Sequence, residues 1–177
     1  IAYSGENDIQ IQAARMMEKG FEKEGMKLLH IIGPKMGHTY DKESAAKVDE
    51  WIAEKAKAGL IHVPKSIHFV TYTLKYNSMK WLKVDTLEEH WQKSRVDATI
   101  DGNTIFVNTE NISAFHLDFK EGQAPFKVGA PIKIIIDGQE LTDYIGTKHD
   151  KSWNPYFTKQ NKQWKLGETI ETELVKK

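Results

Sequence analysis

At Pro64 the hydrophobic periodicity of the chain changes, and that change constrains the fold more than any other feature. Before it, residues 1–60 read as strand, helix, strand, helix. Ile1, Ala2 and Tyr3 are the stub of a buried strand, and Ser4 to Asn7 turn out of it. From Asp8 onward, Ile9, Ala13, Met16, Met17 and Phe21 follow the stripe of an amphipathic helix that ends at Gly25. Residues 26–32 are a short, nearly continuous apolar run bounded by Gly33 and Pro34, as in a buried strand. A second helix runs from Asp41, a suitable N-cap, through Ala45, Val48, Ile52 and Ala56 to Gly59. Alternation of this kind predicts a parallel sheet with covering helices.

Beyond Pro64 the pattern alternates in the manner of strands, with turn signals every ten residues or so. Strands are expected over 66–75, 79–85, 96–100, 104–108, 112–119, 132–136, 140–141, 156–159 and 162–166, with a helical turn over 87–92. Asp101-Gly102 and Asp137-Gly138 each place a residue that tolerates positive φ where a short hairpin needs one. The expected architecture is therefore α+β. Residues 1–63 form the end of a parallel α/β sheet, and residues 64–177 an antiparallel β-sandwich-like module of about seven or eight strands. Its last residues, 171–177, are polar and expected to fray.

Composition narrows the function. The 25 basic and 25 acidic side chains cancel, so the chain has no general attraction to phosphate backbones or anionic membranes; no nucleic-acid and no membrane partner is expected. The absence of cysteine excludes disulfides, thiolate zinc sites and a cysteine nucleophile. It leaves the compartment open, and export to a periplasm or the exterior is compatible with it. His30, His62, His68, His90, His116 and His149 are scattered, without a His-x-x-x-His helix pair, so no metal or cofactor is expected. Ser44, Ser66, Ser78, Ser94, Ser113 and Ser152 lack a strand-to-helix elbow, and none is assigned as a nucleophile.

Two residues stand out. Asp8 follows the first strand and His38 follows the second, and in an open parallel sheet reactive groups collect in loops at the carboxyl ends of strands. A histidine so placed can activate a serine while the aspartate holds its other ring nitrogen. Asp8 is equally a natural N-cap, and the two roles are compatible. Gly37 is expected to let the loop turn tightly beside the imidazole and Pro34 to stiffen its start. No Gly-x-Ser-x-Gly occurs in the 177 residues, and the order Ser, Asp, His of an α/β-hydrolase places the nucleophile upstream.

Ala2-Tyr3-Ser4-Gly5-Glu6-Asn7-Asp8, Gln12-Ala13-Ala14, His30-Ile31-Ile32-Gly33 and Met36-Gly37-His38-Thr39-Tyr40 resemble the end of the catalytic domain of prolyl oligopeptidase-type serine peptidases, in particular large bacterial prolyl-oligopeptidase-like proteins. The resemblance covers residues 1 to 60. It implies an α/β-hydrolase fold, Asp8 as triad acid, His38 as triad base, and a peptide or ester substrate. Two departures set the proline specificity aside: a long segment follows Gly59, and Thr39 stands where such loops often carry glycine.

The chain is thus expected to be the C-terminal fragment of a serine hydrolase, inactive alone, whose partner is the missing N-terminal hydrolase segment. A homodimer through the exposed sheet edge is a further expectation. The alternative is an accessory β-sandwich that binds carbohydrate or protein or mediates association. Trp81, Trp91, Trp153, Tyr156, Phe157 and Trp164 are expected to pack between the sheets, with stacking on sugar rings the other use of such aromatics.

Overall fold

The computed structural model describes residues 1–141 and 146–167, so the tail expected to fray lies outside the described residues. The chain is α+β and divides into two compact units, Ile1–Leu60 and Ile61–Lys177.

The first unit contains β1 (Ala2–Gly5), α1 (Ile11–Lys23), β2 (His30–Gly33) and α2 (Lys42–Ala58). β1 and β2 pair in parallel, from Ala2 opposite His30 to Gly5 opposite Gly33. β2 is shorter than the apolar run over 26–32 suggests, and the Leu29 carbonyl before it accepts the Ala2 N–H at 2.8 Å. Side chains alternate across the pleat, so the two helices take opposite faces. Ser4 and His30 meet Glu18 of α1, while Ile31 shares a hollow with Lys47, Glu50 and Trp51 of α2.

The second helix forms as its sequence dictates. Asp41 takes the Ser44 N–H at 2.9 Å, and Gly59 closes the helix with φ 72°. The first departs from its pattern. It begins at Ile11 with Gln10 at the N-cap and buries Ile11 and Ala14, while Ile9, Met16 and Met17 of the apolar stripe stay exposed. Glu18 reaches His30 from the helix, while Met16 and Met17 of the apolar stripe face outward.

Ten strands are described in the second unit: β3 (Ser66–Thr71), β4 (Ser78–Met79), β5 (Leu82–Leu87), β6 (Ser94–Asp101), β7 (Thr104–Glu110), β8 (Ile112–Leu117), β9 (Lys133–Ile136), β10 (Gln139–Leu141), β11 (Tyr156–Gln160) and β12 (Gln163–Gly167). They form two five-stranded sheets, in the orders β10-β9-β7-β6-β3 and β12-β11-β8-β5-β4. The second is antiparallel throughout. The first is mixed, because β7 and β9 run parallel, against the expectation of an antiparallel module. β8 leaves for the other sheet, and the long connection after it is enough to return the chain beside β7 in the same direction.

Alternate residues of both sheets enter one core, with Val96, Ile105 and Ile134 from the first and Val84, Phe115 and Phe157 from the second fully buried. Trp81, Trp153 and Trp164 join it, as expected of aromatics at alternating positions, whereas Tyr156 is half-buried and Trp91 is exposed. At one edge the sheets are clamped together. The Gln139 side chain on β10 donates to the Trp164 carbonyl at 2.7 Å and accepts the Trp164 N–H at 2.8 Å, and the Trp164 indole donates to Asp137 at 2.8 Å.

Hairpin chemistry explains the registers. Asp137 and Gly138 both have positive φ, 51° and 80°, as a type I′ turn requires. At the other Asp-Gly, Asp101 still pairs with Thr104, so the loop is Gly102-Asn103 and only Gly102 has positive φ, the signature of a type II′ turn. Asn161 and Lys162, at 52° and 65°, make a further type I′ turn where a strand was expected to start. Residues 88–92 bend without forming a helix, and the short helical turn is the 3-10 segment Leu74–Tyr76.

Phe115 touches both Phe157 and Trp164, at centroid distances of 5.1 and 5.3 Å. Phe115→Ala should lower the unfolding free energy of this unit by about 3–5 kcal/mol in urea melts followed by tryptophan fluorescence. Phe106→Ala, on the outer face of β7, should lower it by less than about 1 kcal/mol. Equal losses would show that the inter-sheet core does not dominate stability.

Candidate acid–base site

The two loops that leave β1 and β2 lie against each other. Glu6 N–H donates to the Gly33 carbonyl at 2.9 Å, Asn7 N–H to the Met36 carbonyl at 2.8 Å, and Lys35 N–H to the Glu6 carboxylate at 2.7 Å. The approach requires glycine at position 5, where a Cβ would collide with the carbonyl oxygens of Gly37 and Met36. Gly37, expected to be the tight-turning residue, has open space around it and no positive φ; the positive φ of this loop is at Lys35, 59°. Farther along, the Tyr3 hydroxyl donates to the Thr39 carbonyl at 2.8 Å, and the rings of Tyr3 and Tyr40 stack 4.0 Å apart. Burial, and then the Asp41 charge, push the Tyr3 phenol upward, so it remains a donor at neutral pH.

This scaffold brings Asp8 and His38 together. Asp8 Oδ2 lies 2.8 Å from His38 Nδ1, and Asp8 Oδ1 accepts the Gln10 N–H at 2.9 Å. Asp8 is not the N-cap read from the sequence, since α1 starts three residues later behind Gln10; its carboxylate steadies the turn before the helix with one oxygen and the imidazole with the other. Hydrogen bonds from the Gln10 backbone and from His38 hold the Asp8 carboxyl below the usual carboxylate range, so it accepts as an anion at neutral pH. When Nδ1 carries the proton, the free lone pair is on Nε2. The His38 side chain is 79% exposed against 12% for Asp8, which leaves the imidazole accessible while its orienting group is enclosed. A hollow of about 280 Å³ adjoins the pair, lined by Tyr3, Ser4, Asp8, His38, Thr39 and Tyr40.

Other histidines expected to be isolated have acidic partners brought from elsewhere in the chain. His68 Nδ1 lies 2.7 Å from Asp97, which also takes the Arg95 guanidinium at 2.6 Å. His116 Nδ1 lies 2.7 Å from Asp85, a residue that a bulge in β5 places beside it. Burial raises Asp97, but the hydrogen bonds from Arg95 and His68 outweigh it and keep its pKa low. These pairs lie between neighbouring strands, where opposite-charge neighbours across a ladder stabilise pairing. A short Asp–His distance therefore does not single out a catalytic pair. Placement does: only the Asp8 and His38 pair, among those described, lies in loops at the carboxyl ends of adjacent parallel strands.

One network was not legible in the sequence. Ser4 Oγ lies 3.0 Å from His30 Nε2, and His30 Nδ1 lies 3.2 Å from Glu18, an array that has the order of a nucleophile, base and acid. The His30 side chain is only 1% exposed and Ser4 is buried, and the array holds α1 to the sheet. Ser44 lies under the α2 N-cap, Ser66 bonds Thr99, and Ser94 donates to the Gln92 carbonyl. No group of three or more acidic or histidine side chains that could hold a metal occurs among the described residues. Comparison of the chain with family models, with curated proteins and with solved structures returns no match.

Because the Asp8 pKa is lowered on folding, its interactions contribute stability above 3.8 and lose it as pH falls through the lower folded value. A carboxyl NMR titration should give Asp8 a midpoint below 3.8, and Asp8→Asn should abolish the preference of His38 for the Nδ1–H tautomer in imidazole ¹⁵N spectra. A midpoint at or above 3.8 would contradict the geometry. In the same spectra Gly5→Ala should erase the tautomer preference while Gly37→Ala preserves it.

Proposed function

We propose that the first unit is the acid–base part of a serine hydrolase of the prolyl oligopeptidase-like type, acting on a peptide or ester through a serine supplied by protein outside residues 1–177. The observation that carries this reading is the 2.8 Å contact between Asp8 Oδ2 and His38 Nδ1 across loops that leave neighbouring parallel strands on the same side. In that role His38 Nε2 takes the proton of the serine hydroxyl as it attacks the carbonyl, then returns it to the leaving group. Asp8 fixes the tautomer and stabilises the imidazolium without becoming protonated. The oxyanion donors belong to the same missing part as the nucleophile.

Two features of the unit support the reading. A parallel sheet is ordinarily flanked by further strands and buried on both faces, yet among the described residues these two strands pair only with each other. Part of the apolar stripe of α1, with Met16 73% exposed, faces outward, as it would if a wider sheet and further helices adjoined it. The N-terminal hydrolase segment is the proposed occupant of these surfaces, with a second copy of the chain taking the edge when that segment is absent.

The 177-residue chain alone should show no turnover of activated esters or peptide amides and no labelling by a fluorophosphonate. Labelling at Ser4 would relocate the chemistry to the His30 array. Expressed with its upstream coding sequence, the protein should be labelled at a serine before Ile1, and His38→Ala should lower kcat by several orders of magnitude with little loss of stability. Near-normal kcat in that variant would sink the assignment.

A further inference from the structure

The second unit buries every tryptophan but one. Trp91 is 76% exposed and has φ 67°, a conformation that a bulky side chain rarely adopts. Exposure of so large an apolar ring costs free energy that burial would have gained, and the backbone geometry adds to that cost. Nothing in the connection between β5 and β6, which lie in different sheets, requires an aromatic residue there.

The loop that carries Trp91 is held firmly. Asn111 clasps it from below, with its amide donating to the Glu89 carbonyl at 2.7 Å and to Ser94 Oγ at 2.8 Å and its side-chain oxygen accepting the Glu89 N–H at 2.8 Å. On the other side, the Trp91 N–H donates to the Tyr72 carbonyl at 3.0 Å. Tyr72 and Tyr76 are themselves exposed, 52% and 70%. The buried Thr71 hydroxyl fixes their loop from within, lying 2.8 Å from the Thr73 carbonyl and 3.0 Å from the Tyr76 carbonyl. Three solvent-facing aromatic residues are thus carried on two loops tied together at one end of the sandwich. Rigid mounting lowers the entropic cost of using them to bind.

We propose that Trp91, Tyr72 and the face of Tyr76 turned away from the Lys75 ammonium, which lies 5.5 Å from that ring's centroid, form a platform for a neutral polysaccharide whose pyranose rings stack their C–H faces on the aromatic faces. The surroundings favour a sugar over other partners. His90 and Gln92 flank Trp91, are exposed, and their side chains have no hydrogen-bond partner among the described residues, leaving planar donors and acceptors for ring hydroxyls. A nucleic-acid strand would also stack, but it calls for a positive groove that a chain with 25 basic and 25 acidic residues does not provide overall. The site is independent of the reading given to Asp8 and His38.

Affinity electrophoresis of the whole chain in gels containing laminarin, xylan, galactomannan or pectic galactan tests the proposal. At least one should retard the protein, and the same polysaccharide should blue-shift its tryptophan emission. Trp91→Ala should weaken the retardation by roughly tenfold or more, as loss of a central aromatic anchor does, and remove the emission shift, with circular dichroism and thermal midpoint unchanged. Tyr72→Ala should weaken it by a smaller factor. The proposal is overturned by lack of retardation in all four gels, by retardation that survives both substitutions, or by a Trp91-dependent pull-down of a protein in place of any glycan.

Discussion

The first unit depends on two backbones passing closer than side chains allow. At Gly5 the chain leaving β1 runs against the carbonyl groups of Met36 and Gly37, and a Cβ there would have to displace the backbone itself. Because that approach is possible, Asn7 can bond the Met36 carbonyl and Glu6 the Gly33 carbonyl, which fixes the two loops as one body. Asp8 and His38 are consequences of it. Each lies a few residues beyond the contact, on short segments whose backbone groups are already bonded, and the 2.8 Å pair between them costs little further ordering. Tyr3 secures the far side of the same loop through its hydroxyl and its ring, so the strand that delivers Asp8 also holds the residues after His38.

A different constraint governs the second unit. Its strands come from distant parts of the sequence, and the inner faces of two sheets must fill one slab of space. The fully buried Phe115, Phe157 and Trp164 set the thickness of that slab where the edges β10 and β12 meet, and the Gln139 amide closes the seam by satisfying backbone groups of Trp164 that neither edge strand pairs. Polar residues that serve this seam are hydrogen-bonded, Gln139 half-buried and Asp137 exposed. Trp91 departs from the enclosed aromatics, and its tethered loop shows that the departure is built and not a consequence of slack chain.

What the sequence disclosed follows from the range of each interaction. The caps of α2 at Asp41 and Gly59 and the turn at Asp137-Gly138 are local, so residue type nearly decides them. Asp8 and His38 were legible because order along the chain and position after strands carry the information, even though their distance cannot be read. The orientation of α1 was not, since an apolar stripe states that a helix has a side to bury without stating what lies beside it; here Glu18 and His30 took the inner position. The pairings of His68 with Asp97 and His116 with Asp85 depend on cross-strand register, and the parallel β7 and β9 pair on a crossover, neither of which leaves a mark in local composition. Alternation marked Trp81, Trp153 and Trp164 as core but could not separate them from Trp91, whose exposure is decided by a backbone turn.

The contrast between the units bears on what each can do unaided. The sandwich encloses its large apolar side chains on both sides, so its stability is internal and its exposed aromatics are free to serve as a binding surface. The first unit places Ile11, Ala14 and the Glu18 contact with His30 on the inner side of α1 and leaves apolar Met16 and Met17 on the outer side. The inward contact of Glu18 with the enclosed His30 ring adds no apolar burial, whereas outward methionines contribute only when something covers them. On the proposed hydrolase reading, additional sheet and helix packed alongside would bury those methionines and bring a serine to the accessible face of His38 in the same step. One structural remedy would then serve both the uncovered apolar surface and the proposed chemistry.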